Sequence, residues 1–157
     1  MIELFSADTP NGKKISIMLE EINLKYKVTK IDLSKGEQFN INFRKISPLS
    51  KIPTIIDHKN KVNLFQSGAI LIYLAELSGK FYDTENRNLI NQWLMAQIVD
   101  IGPMLGQHHK FNPHSAIGPN FIIKPKKPRI KSVLISSVFP SSFFIIIELI
   151  LSLPSID

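Results

Sequence analysis

The chain has 157 residues, 44% of them hydrophobic and ten of them Phe, enough to fill the core of one domain or one and a half. Its formal charge of +6 is spread unevenly: residues 1–112 carry 14 basic and 11 acidic side chains, and the last 45 carry five basic ones against Glu148 and Asp157. The folded part is therefore only mildly basic, so attraction to polyanions is weak and no nucleic-acid function follows; the absence of cysteine excludes a disulfide framework, a thiolate metal site and a CxxC redox pair.

Ile2 to Phe5 is short and apolar, and Ala7 to Gly12 (ADTPNG) is turn chemistry. From Lys13 the period changes. Ile15, Met18, Leu19 and Ile22 fall at i, i+3, i+4 and i+7, one helical face, with Lys14, Ser16, Glu20 and Glu21 turned away. Tyr26 to Leu33 alternates as a strand does, so the first 33 residues read as strand, helix, strand, the crossover that makes parallel neighbours. Ser34 to Gln38 is a polar loop, and Ile41 to Ile46 allows one or two helical turns before Ser47-Pro48.

Thr54 to Asp57 and Val62 to Leu64 are short strands joined by His58-Lys59-Asn60-Lys61, a hairpin pattern. Ile70, Leu71, Leu74, Ala75 and Leu77 predict a helix over 66–77 that Gly79 ends. Thr84-Glu85 suggests a cap for a further helix over 86–105, its apolar face including Leu89, Ile90, Trp93, Leu94, Ala96, Gln97 and Ile101, with Gly102-Pro103 bending or interrupting it. The order is βαβ-α-ββα: an α/β fold of thioredoxin-like type with a mixed four-stranded sheet over residues 1–80, followed over 86–112 by the first helix of an incomplete all-α domain.

Three short segments carry chemistry. Thr9-Pro10-Asn11-Gly12 lies where the first strand turns into the first helix, and the unpaired N–H groups there stabilise an anion such as a thiolate. Thr9 and Asn11 add hydroxyl and amide donors to the same sulfur, lowering the pKa of a bound thiol; ordinary capping explains the same two residues. Ile52-Pro53 ahead of an apolar strand exposes the Ile52 backbone to a ligand, above all if the bond is cis, although trans is the commoner isomer. Gln66-Ser67-Gly68 opens another helix, where Ser67 either donates its hydroxyl to a ligand or merely caps.

Taken together, TPNG at 9–12, LEE at 19–21, KGEQF at 35–39, ISPLSKIP at 46–53, FQSGAILIYLAE at 65–76 and QWLMAQIVDIGPMLGQHHKF at 92–111 closely resemble the glutathione transferase superfamily. The likeness is greatest to its nu-class bacterial branch with disulfide-bond oxidoreductase activity and covers roughly Met1 to Asn112. The resemblance implies glutathione as co-substrate, with Asn11 and Thr9 as the catalytic, thiol-stabilising pair. It implies Gln38 on the glycyl end, the Ile52 backbone (before a cis Pro53) on the cysteinyl unit, and Gln66 and Ser67 on the γ-glutamyl end. The branch more often has Glu where Gln66 stands, and the lost charge pairing implies weaker binding. Phe5 lies near where other classes place a catalytic Tyr, which favours the Asn-type branch. Small disulfides, peroxides or electrophiles are the implied second substrates and a homodimer the implied assembly. A non-catalytic glutathione-binding or interaction module of the same fold is one alternative, and a pseudogene product inactivated by truncation is the other.

Other residues have simpler explanations. His108-His109 are adjacent, about 100° apart on a helix, and do not chelate, so no metal site is expected. Trp93, Met95 and Met104 read as core and inter-domain packing, and Lys13-Lys14 and Lys59-Asn60-Lys61 as solvated faces. From about Phe121 the family pattern stops. Residues 113–157 lack amphipathic periodicity, and Val133 to Leu153 is nearly all apolar, broken by Pro140 and Glu148. Basic residues from Lys124 to Lys131 ahead of that run fit a membrane anchor. Loss of pattern in mid-domain fits out-of-frame translation better, which makes this segment a non-family, disordered tail with no membrane contact and compromises the dimer. MIELFSADTP has no signal-peptide pattern, and a cytoplasmic location is expected.

Overall fold

A computed structural model describes residues 1–104. The elements are β1 (Ile2–Ser6), α1 (Pro10–Glu21), β2 (Tyr26–Lys30), a single 3-10 turn (Glu37–Phe39), α2 (Ile41–Ile46), β3 (Thr54–Asp57), β4 (Val62–Phe65), α3 (Ser67–Ser78) and α4 (Arg87–Met95). They divide into two units, Met1–Thr84 and a second that begins at Glu85.

In the first unit the strands make one mixed sheet in the order β2-β1-β3-β4. β1 runs parallel to β2 and antiparallel to β3, and β3 and β4 form the expected hairpin. The α/β, thioredoxin-like architecture read from the sequence is thus the observed one. β2 is shorter than its pattern, ending at Lys30. Ile31 still donates its N–H to Ser6 O, but beyond it Asp32 turns the chain into a polar loop, its carboxylate accepting from the Ser34 and Lys35 N–H groups.

The core is built from the residues whose period announced it. Ile15, Met18 and Leu19 of α1 and Ile22 at its C-cap are all buried, as are Ile70, Leu71, Leu74 and Ala75 of α3, and α1 and α3 pack together. Leu77 departs from expectation: it is exposed, because it lies roughly 90° from the middle of the α3 stripe. Phe5 points to the face opposite Leu4 and meets Phe43 of α2, ring centroids 6.2 Å apart. Both long helices close in Schellman motifs. At α1, Asn23 takes φ 60° while Leu24 N–H returns to Leu19 O; at α3, Gly79 takes φ 67° while Lys80 N–H returns to Ala75 O.

In the second unit α4 starts at Arg87 with Asn86 in the cap position, so Thr84 and Glu85 lie before the cap and not in it. Ile90 and Leu94 are buried, but Trp93 is 45% exposed and Met95 and Met104 are also exposed, against the core reading. The interruption expected at Gly102-Pro103 falls upstream, as a π-helical stretch over Ala96–Ile101. Pro103 has no N–H for the carbonyl four residues earlier and its ring crowds that group, so the ladder is disturbed a turn before the proline. His108-His109 and every reading of the tail lie outside the described residues.

Candidate functional site

The register of the sheet gathers the predicted residues at one end. Phe5 is paired with Thr29, Thr54 pairs with Phe5, and Phe65 pairs with Thr54, a single row across all four strands. Just beyond that row the chain leaves β1 toward Thr9 and Asn11, leaves β2 toward Gln38, enters β3 from Ile52-Pro53, and leaves β4 into Gln66-Ser67. All six residues therefore lie on loops or first helical turns at one end of the sheet, although Thr9 and Ser67 are 58 positions apart in sequence.

At the start of α1, Thr9 is the N-cap in extended backbone (φ −137°), and its Oγ1 accepts from Gly12 N–H at 3.2 Å, with Pro10 at the first helical position. The capping account of Thr9 is thus correct, and it is compatible with the chemical one. Accepting one bond fixes the side chain and leaves the hydroxyl proton to donate. Asn11 is solvent-exposed; its Oδ1 accepts from Lys14 Nζ at 2.8 Å, and its amide hydrogens meet no acceptor among the described residues.

The tight turn depends on Gly12. A Cβ there would lie 2.5 Å from Ala7 O and would overlap Ser6 Oγ, closer than atoms can approach. Lys14, read from sequence as solvated, is buried at 3% exposure. Burial lowers its pKa from 10.5 to about 8. Lys13 does face solvent, 3.0 Å from Asp8 in an ion pair.

The Ile52–Pro53 peptide is cis. The loop before it is held by Ser47, fully buried, whose Oγ donates to Lys51 O at 2.7 Å and accepts from Lys51 N–H at 3.2 Å; Thr54 Oγ1 also donates to Lys51 O. Ile52 itself, half-buried, spends neither its N–H nor its C=O on the described residues. Ser47 drew no attention in the sequence, since a Ser before Pro reads as a helix stop.

Gln66 adopts φ 74°, ψ 115°, a left-handed backbone that a non-glycine residue reaches only at a cost of about 1–3 kcal/mol. It occupies the cap position of α3 and makes no side-chain cap bond, so Ser67 is the first helical residue, not the cap, and the first-turn N–H groups of α3 have no side-chain acceptor. Gln38 is half-buried, and its Oε1 is enclosed without a hydrogen-bond partner among the described residues. A buried carbonyl oxygen left unpaired costs about 1–3 kcal/mol, which an arriving N–H donor would recover. Behind the site, Asp57 at the far end of β3 anchors the hairpin: it accepts from Lys59 N–H, Asn60 N–H, Asn60 Nδ2 and the Tyr73 hydroxyl of α3.

The sheet order and the helices packed on it define a thioredoxin-like domain. Residues 2–76 match the family described as Glutathione S-transferase, N-terminal domain, and the chain belongs to that family. Among curated proteins it is 50% identical to Disulfide-bond oxidoreductase YfcG of Escherichia coli over 74% of this chain and 57% of that protein. It is 35% identical to Disulfide-bond oxidoreductase YghU of the same organism over 71% of this chain and 43% of that protein. The chain thus spans about half the length of the curated relatives it matches.

Among solved structures, a glutathione transferase family member from Pseudomonas fluorescens with two glutathione bound is similar at TM-score 0.69 and 45% identity, covering 73% of this chain and 53% of the other. A glutathione transferase from Pseudomonas putida with one glutathione disulfide bound per subunit is similar at TM-score 0.69 and 40% identity, covering 82% and 56%.

Proposed function

We propose that this chain binds glutathione at the edge formed by Thr9, Asn11, Gln38, Ile52, Gln66 and Ser67, and that it is a glutathione-dependent disulfide-bond oxidoreductase. The observation that carries the reading is the pair of donors at the start of α1, the Thr9 hydroxyl held by its cap bond and the Asn11 amide beside it, with no cysteine anywhere in the chain. Such a turn stabilises a thiolate but supplies none, so the nucleophile is the sulfur of glutathione.

Each remaining contact follows from what the groups lack. The Ile52 N–H and C=O suit the cysteinyl backbone, as one antiparallel strand pairs with another. The enclosed Gln38 Oε1 suits an N–H of the glycyl end. The first turn of α3, with Ser67, suits the γ-glutamyl carboxylate, and Gln66 suits its ammonium through a neutral amide. In the reaction the bound thiolate attacks one sulfur of a small disulfide. A new S–S bond forms, the old one breaks, and the departing thiolate takes a proton from solvent.

The test is a thermal melt of the full chain with and without millimolar glutathione and glutathione disulfide, followed by turnover of a small disulfide. A ligand confined to the folded state raises the midpoint by mass action. An unshifted midpoint at saturating ligand defeats the reading. A second reading is a glutathione-binding module of the same fold without turnover. A raised midpoint with no disulfide reduction selects it.

A further inference from the structure

Lys14 Nζ stands 2.8 Å from Asn11 Oδ1, one helical turn along α1. An ammonium group has donors only, so the atom facing it is the amide oxygen, and the planar amide must then turn its two N–H donors to the other side. The O/N assignment of Asn11, ordinarily ambiguous, is settled here by its neighbour. Lys14 is also the one buried lysine or arginine among the described residues, at 3% exposure. Burying an ammonium costs stability unless it is hydrogen-bonded, as this one is to Asn11.

We propose that Lys14 is a positioning residue for the thiolate end of the site: it holds the Asn11 amide with its N–H donors toward the bound sulfur. The proposal rests on the glutathione reading above. A charge-assisted bond to Oδ1 polarises the amide, so its N–H groups become stronger donors. Loss of the lysine frees the amide to rotate, and half of its orientations then present an oxygen lone pair to the sulfur, which repels a thiolate. The ammonium also adds positive charge beside the sulfur, and this favours the ionised form. Lys14 touches neither glutathione nor the disulfide in this arrangement; it acts through Asn11.

The test compares the full-length chain with Lys14→Met and Lys14→Arg, following the ultraviolet thiolate band of bound glutathione against pH together with kcat for a small disulfide and KM for glutathione. Lys14→Met is expected to move the thiolate titration up by about one pH unit and to lower kcat at neutral pH about tenfold, with KM for glutathione changed less than about twofold. Lys14→Arg, which keeps both charge and donor, restores the titration. An unmoved titration in a Lys14→Met chain that binds glutathione overturns this proposal alone, as does an Arg variant that behaves like Met. No thiolate band in the unsubstituted chain at saturating glutathione overturns the glutathione reading and this one with it. If Lys14→Met melts without cooperativity, Lys14→Gln, an uncharged donor, replaces it in the same comparison with Arg.

Discussion

The Tyr73 hydroxyl donates to Asp57 Oδ2 at 2.7 Å, joining the middle of α3 to the end of β3. The same carboxylate organises the hairpin turn, so one side chain ties the helix that follows the Gln66 loop to the strand that follows Ile52. Tyr73→Phe leaves the ring in place and removes the bond; it is expected to lower the stability of the first unit by about 1–2 kcal/mol. Chemical denaturation of both chains, read as a change in midpoint at constant slope, checks this.

Burial pushes the Asp57 carboxyl up, but the Tyr73 hydroxyl, the Asn60 and Lys59 N–H groups and the Asn60 amide outweigh it and hold its pKa below the ordinary 3.8. A depressed carboxyl contributes stability that is complete above its unfolded value and fades as pH falls through the folded one. Glu3 acts in the same direction, lowered chiefly by the Thr29 hydroxyl 2.6 Å away. Stability is therefore expected to fall below about pH 4, and to fall less steeply in Tyr73→Phe. Melting across an acid series reads both slopes.

Lys14 gives the opposite end of the pH scale. Its pKa of about 8 in the fold lies below the ordinary 10.5, so between those values the unfolded chain holds more protons and stability rises with pH. Lys14→Met is expected to abolish that rise while leaving the acid limb intact. Equal slopes in both chains over this window would refute the assignment.

Asn11→Ala removes the amide donor from the thiolate and spares the cap made by Thr9. Disulfide turnover is expected to fall at least about tenfold, while glutathione still raises the melting midpoint. Thr9→Val loses donor and cap together and costs about 1 kcal/mol of stability besides; Thr9→Ser keeps both.

At Gln66 two substitutions separate strain from charge. Gln66→Gly relieves the left-handed backbone and is expected to stabilise the free chain by about 1 kcal/mol while weakening glutathione binding. Gln66→Glu restores a carboxylate opposite the ammonium and is expected to tighten binding several-fold. Calorimetric titration with glutathione distinguishes the two.

Most of the scaffold was legible because it repeats. The faces of α1 and α3 announce themselves through helical spacing, and the turn residues around His58–Lys61 mark the hairpin. The candidate site rests on ordered motifs, since no single one of Thr9, Asn11, Gln38, Ile52, Gln66 or Ser67 is unusual where it stands. What the sequence concealed depends on a third dimension. A lysine beside a lysine reads as surface, yet Lys13 and Lys14 point about 100° apart and only one is exposed. The Asp57–Tyr73 bond crosses 16 positions. The hydroxyl of Ser47 is recruited by a carbonyl four residues on, which no periodicity encodes.

Gly12 also sets a limit on how this gene can drift. The space beside it is closed by a backbone oxygen, so every side chain larger than hydrogen displaces the turn that carries Thr9 and Asn11. Every glycine codon begins with the same two bases, so any change in either one replaces the residue. Two adjacent nucleotides are thus under purifying selection for as long as this turn is of use to the cell, and their substitution in a descendant would date the loss of that use.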